Sequence, residues 1–128
     1  MIIVDTSIWV NALRSGESAE SLEVDNLLAT SQVAMVGIVI AEVLQGARNP
    51  SEWDRLRLWF QAIPFLPETR ETWSETGRAA FELRQRGTPL PLQDVLIATL
   101  AREYSCSVYT SDHHFQAIPG IQLYSPGE

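Results

Sequence analysis

The stretch IIVDTSIWV, residues 2–10, decides the fold. Ile2, Ile3 and Val4 form a short continuous apolar run rich in β-branched residues, which predicts a buried strand. Asp5 ends that run. Ser7 to Leu13 then reads as a short helix closed by the turn-like RSGES. A carboxylate at the seam of a strand and a helix is either a helix cap or part of a site, because ligands of an open α/β sheet bind beyond the carboxyl ends of its strands.

The rest of the chain repeats the alternation. A second helix is predicted from Ala19 to Thr30, and QVAMVG as a second strand. IVIAEVLQGA reads as a helix stopped near Gly46 and NPS. Trp53, Leu56, Phe60 and Ile63 recur at helical spacing over residues 51–62. IPFLP, framed by prolines, is a candidate short edge strand. A long helix from Glu68 to Arg86 is expected to turn Trp73, Ala80 and Leu83 inward. RGTPLP breaks it, and Asp94 opens another helix through Tyr104. SVYT is a strand, DHHF a turn or short helix, and IQLY a last strand. Strands alternating with helices predict an α/β fold with a mainly parallel sheet of four or five strands. No repeat, linker or low-complexity segment interrupts residues 1–128, which read as one domain.

At 128 residues the chain buries roughly two thirds of its unfolded surface and needs no staple to fold. No apolar run reaches the roughly 20 residues of a membrane span, and no basic-then-apolar leader is visible. The single cysteine, Cys106, cannot form an internal disulfide and reads as a small core residue of a reduced, cytoplasmic protein. The net charge of −7 has the wrong sign for binding nucleic acid through a basic surface. All nine basic residues are arginine, a bias best explained by base composition.

Four acids fall in telling places. Asp5 follows the first strand, and Asp112 follows SVYT by two residues. Asp94 stands at a helix start, and Glu42 interrupts the apolar run GIVIAEVLQG. Singly, each has an ordinary explanation as a cap, a turn residue or a solvated side chain. Together they fall at one end of the fold. Carboxylates about 5 Å apart at an effective dielectric near 20 repel by on the order of 3 kcal/mol per pair, so such a cluster requires protonation or a cation. Oxygen-only ligands select hard ions such as Mg²⁺ or Mn²⁺. Two of these suit in-line attack of water on a phosphodiester.

Other chemistries lack their residues. GxGxxG does not follow the first strand, and without lysine there is no Walker motif or phospho-receiver site. Ser7 stands where an aspartyl-phosphate hydrolase needs its second Asp, and it has no GxSxG setting. His113 and His114 could be metal ligands or a general base. Without neighbouring Cys or further His, no role is assigned to them.

These segments resemble the PIN domains, especially the VapC-type ribonuclease toxins of toxin–antitoxin pairs. IIVDTSIWV is similar to their opening, IVIAEVLQGA to their acidic helix, LQDVLIATLA to the segment of their third acid, VYTSDHHF to their T-x-D-x-[D/H]-F segment and IPGIQLY to their closing strand. The resemblance implies a PIN-like three-layer fold and Mg²⁺-dependent endoribonuclease activity, with Mn²⁺ as an alternative ion. It further implies an RNA substrate, a small cognate antitoxin and a homodimer. Asp5, Glu42, Asp94 and Asp112 would be the metal-binding acids, with Thr6, Ser7 and Thr110 supporting them by hydrogen bonds. Many relatives carry Asp where this chain has His114, so the resemblance leaves a second metal site that is either weaker or filled only with substrate. A metal-dependent DNA nuclease on the same acids, or a non-catalytic acidic module for a basic partner, remain the alternatives. The helices carrying Trp9, Trp53, Trp59 and Phe60 are expected either to line an apolar groove for the antitoxin or to be buried within the monomer or the homodimer contact, and Trp9 or Trp53 is a candidate for stacking a nucleobase.

Overall fold

The computed structural model describes residues 1–127. Strand β1, Ile2–Val4, is buried throughout and runs straight into helix α1, Thr6–Arg14. Helix α2, Ala19–Ala29, follows, its start capped by the Ser18 side chain on the backbone N–H of Ser21. Strand β2 is Val33–Ala34, and α3 spans Gly37–Gln45. Asn49 caps α4, Pro50–Phe60, whose first residue is a proline with no N–H to leave unpaired. Helix α5, Arg70–Gln85, opens with a reciprocal capping box between Thr69 and Thr72. Helix α6 is Leu92–Glu103, β3 is Ser107–Tyr109, a 3₁₀ segment covers His113–Ala117, and β4 is Gln122–Leu123.

The four strands are all parallel, in the order β2-β1-β3-β4. The chain leaves β1 toward one edge of the sheet and leaves β3 toward the other. The order therefore reverses between β1 and β3, and the loops after these two strands border the crevice where open α/β sheets bind ligands. The helices pack in two groups. Helix α1 lies against α2 and α3, with α3 against α4, while α5 lies against α6. Every residue of α6 from Asp94 to Ala101 is buried, which makes it the central helix of the molecule. No helix among the described residues is long and apolar enough to cross a membrane.

Three expectations need correction. IPFLP does not form a strand. Phe65 makes a single parallel bridge to Met35, through Met35 N–H to Pro64 O at 2.8 Å and Leu66 N–H to Met35 O at 2.9 Å. Pro64 and Pro67 have no N–H to extend a ladder. Trp73 does not point inward: it is 52% exposed. The inner face of α5 is Thr72, Thr76 and Leu83, with Thr76 Oγ1 donating to Thr72 O at 2.7 Å and Thr72 Oγ1 to Glu103 Oε2 at 2.8 Å. Leu83 is inward and Ala80 packs against the core as expected, while Thr72 and Thr76 take the place expected of Trp73, because hydroxyls that bond within or between helices are buried at low cost. Trp9 is fully buried and lines no groove. Its ring meets Trp59 at 5.5 Å and Phe60 at 5.2 Å, edge to face, and ties α1 to α4. Phe60 is buried beside it, and stacking of a base on Trp9 is excluded by its burial.

Candidate active site

Asp5 occupies the N-cap position of α1, yet its side chain makes no cap hydrogen bond. Its backbone carbonyl accepts the first helical N–H groups, from Ile8 at 3.1 Å and Trp9 at 3.2 Å, and its own N–H donates to Tyr109 O at 2.9 Å. The backbone thus stays in register with β3 while the carboxylate turns away from the cap. Oδ2 accepts from Ser7 Oγ at 2.9 Å and Thr110 Oγ1 at 2.8 Å. The carboxylate is buried at the head of a helix, where the dipole favours negative charge.

Thr110 joins two acids. Its hydroxyl donates to Asp5 and accepts the backbone N–H of Asp112 at 2.9 Å. Ser7 Oγ, besides donating to Asp5, accepts Ser111 N–H at 3.3 Å. The loop after β3 is thereby stitched to the loop after β1. Thr6 Oγ1 donates to Glu42 Oε1 at 3.0 Å, so α1 also holds the half-buried acid of α3.

Asp94 lies in the first turn of α6, buried, with its side chain toward the same crevice. Its Oδ2 lies 3.1 Å from His114 Nδ1, and the same nitrogen lies 3.1 Å from Asp112 Oδ1. Asp112 caps the 3₁₀ segment, Oδ1 accepting His114 N–H at 2.9 Å. Burial pushes the Asp94 carboxyl up from its ordinary value. The hydrogen bond from His114 opposes the rise, and the negative charges of Asp112 and Asp5 add to it.

Of the four acids read from the sequence, the structure brings Asp94 and Asp112 to common ligand distance, one oxygen of each lying with His114 Nδ1 within 4.8 Å. Asp5 lies near enough for its charge to act on Asp94, and shares Thr110 with Asp112. Glu42 stands apart from that trio and borders a cleft of about 510 Å³ shared with Arg14, Arg48, Arg55 and Trp59. Arg48 forms a two-pronged bond with Glu52 there, at 3.1 and 2.9 Å.

The PIN domain pattern matches residues 2–121. The chain belongs to the PIN domain family. Its sequence relatives include Ribonuclease VapC11 of Mycobacterium tuberculosis, 27% identical over 125 residues that cover 94% of this chain and 93% of that protein. Ribonuclease VapC19 of the same organism is 28% identical over 123 residues, covering 95% of this chain and 98% of that protein. Its fold is similar to that of a chain in the crystal structure of VapBC2 from Rickettsia felis bound to a DNA fragment from their promoter, with a TM-score of 0.79, 22% identity, and coverage of 97% of this chain and 98% of that one.

The donor set of this PIN domain fits a six-coordinate divalent ion. Neighbouring ligands around such an ion, at about 2.0–2.1 Å for Mg²⁺, lie roughly 3 Å from one another. The 3.1 Å separations at His114 match that edge. Sequence reasoning weighed His114 as a ligand but had no ground to assign it a role. The available signal was the D-x-H spacing of Asp112 and His114 before the buried Phe115: an Asp side chain that accepts the backbone N–H two residues on, as Asp112 does from His114, draws the two residues together.

Proposed function

We propose that this PIN domain is a metal-dependent endoribonuclease, the toxin of a toxin–antitoxin pair. The observation that carries the reading is the convergence of Asp94 and Asp112 beside Asp5 at the reversal point of the sheet. The names of VapC11 and VapC19 as ribonucleases support it.

In this reading Asp5, Asp94 and Asp112 hold Mg²⁺ or Mn²⁺, and Glu42 approaches from α3. A divalent ion held by these residues would supply an activated water and neutralise charge on a scissile phosphodiester. The protein's own part is to fix the carboxylates. Thr110 and Ser7 spend their hydroxyl protons on Asp5, which directs its remaining lone pairs toward the crevice. Thr6 does the same for Glu42. No side chain of the site is needed as a covalent nucleophile.

The test is cleavage of RNA and DNA side by side with added Mg²⁺ or Mn²⁺. RNA should be cut, and Asp5→Asn, Glu42→Gln and Asp94→Asn should each remove cleavage while the circular dichroism stays native. Cutting of DNA alone would establish the DNA-nuclease alternative. Undiminished cleavage by a folded variant would take that residue out of the site, and no cleavage of either polymer would leave an acidic binding module.

The partner proposed is a small antitoxin, which the toxin–antitoxin complexes among the structural neighbours support. Its dock is the groove between α3 and α4, a cavity of about 450 Å³ with Ile40, Leu44, Trp53 and Phe65 in its wall. Trp53 is 40% and Phe65 50% exposed. Trp53→Ala should weaken antitoxin binding by about 2 kcal/mol or more, and Asp5→Asn only modestly; calorimetric affinities in the opposite order would place the main contact at the acids instead. The outward Trp73 and Phe81 of α5 suit the expected homodimer contact.

A further inference from the structure

We infer that His114 is itself a metal ligand, through Nδ1, and that this nitrogen turns the site toward Mn²⁺ and neighbouring transition ions at the expense of Mg²⁺. The inference rests on the reading of the acids as a metal site.

The geometry is specific to one ring atom. Nδ1 lies 3.1 Å from Asp94 Oδ2 and 3.1 Å from Asp112 Oδ1, so it faces the point on which both carboxylates converge. The backbone restrains the ring. His114 N–H bonds Asp112 Oδ1 at 2.9 Å, and the 3₁₀ segment is anchored by the buried Phe115 directly after His114 and by Ile118. That segment packs on α6, the helix that carries Asp94. The nitrogen is therefore positioned by the same two elements that position the oxygens. His113, one residue earlier, is exposed and makes no side-chain hydrogen bond or ion pair among the described residues. The two histidines thus differ in one respect that matters to an ion.

The donor chemistry then sets the preference. Mg²⁺ takes oxygen ligands and keeps its waters, and an imidazole offers it little. Mn²⁺ accepts carboxylate oxygens equally well and stands at the foot of the series in which affinity for a nitrogen-containing site rises through iron, cobalt and nickel. Two carboxylates and one imidazole, with Asp5 adjacent, form a mixed site where an all-oxygen site would favour Mg²⁺.

The experiment is pulsed electron paramagnetic resonance on the full chain with Mn²⁺ added below one equivalent, together with Mn²⁺ binding measured against competing Mg²⁺. Wild type and His113→Ala should show ¹⁴N modulation from a directly bound nitrogen. His114→Ala should lose it, and its preference for Mn²⁺ over Mg²⁺ should fall by about tenfold or more. His114→Asp should lose the modulation while recovering Mg²⁺ affinity. Mn²⁺ that binds wild type, and is displaced by Asp94→Asn, but shows no ¹⁴N modulation would overturn the inference and leave the acidic site standing. Mn²⁺ that does not bind at millimolar concentration would overturn both.

Discussion

Asp94→Asn is expected to raise the melting temperature of the metal-free protein while removing most of its RNA cleavage. The two effects share one cause. The carboxylate is buried and faces the negative charges of Asp112 and Asp5, with the His114 hydrogen bond as the main opposing influence. Its folded value lies above its ordinary 3.8, so the fold binds the Asp94 proton more tightly than the unfolded chain does. The stability from this group is fully present below the ordinary value and is lost as pH rises through the raised one. At neutral pH the ionised group therefore strains the fold, and asparagine, which keeps an acceptor for His114, relieves it. The advantage of the variant should be largest at neutral pH and shrink on acidification. Added Mn²⁺ should reverse the order, because an ion bound only by the folded state stabilises wild type and finds one ligand fewer in the variant. Cleavage should fall by more than the roughly 10–100-fold typical of a residue that merely orients a ligand. A metal-free variant that melts below wild type at neutral pH would show that the carboxylate is a structural support.

Trp9→Ala should cost about 3–5 kcal/mol, in the range for large aromatics removed from a core. In a domain of this size that lowers the melting temperature by on the order of 15 °C. Trp9 is fully buried and packs against both Trp59 and Phe60, so its loss unfastens α4 from α1. Its Nε1–H is buried without a hydrogen-bond partner among the described residues, a condition that itself costs about 1–3 kcal/mol. Both Trp9→Ala and Trp9→Phe remove that N–H, but Phe keeps an aromatic ring against Trp59 and Phe60 and should therefore cost far less. Equal losses in thermal melts of the two variants would show that the full indole shape, not aromatic bulk, fastens α4 to α1.

Element order and the parallel sheet were legible because β-branched runs and helical spacing are local signals. The acids could be placed near one edge because a residue just after a parallel strand has little choice of location. What escaped depended on tertiary contacts. Trp9 and Trp59 have the same composition signal, but only the fold buries one and leaves the other 38% exposed. Thr72 and Thr76 look like surface residues until their hydroxyl partners are seen. Asp5 in sequence is equally a helix cap or a site residue; only the direction of its side chain, toward Thr110 and away from the α1 backbone, decides between them. Thr6 supports Glu42 by a hydrogen bond as expected, though which acid it would hold was not legible in the sequence. His114 looked isolated because its neighbour Asp94 lies 20 residues away.

The bond between Thr110 and Asp5 closes across 105 residues of chain. A ribosome exposes β1 early and β3 late, so for most of its synthesis a copy carries Asp5 with nothing opposite it. Asp94, Asp112 and His114 all emerge in the last third. Unlike a hairpin or a helical pair, such a crevice has no partially working form. On the reading proposed above, the interval of translation would be a safety period, since a copy cut short before β3 lacks Thr110, Asp112 and His114 and has no complete site.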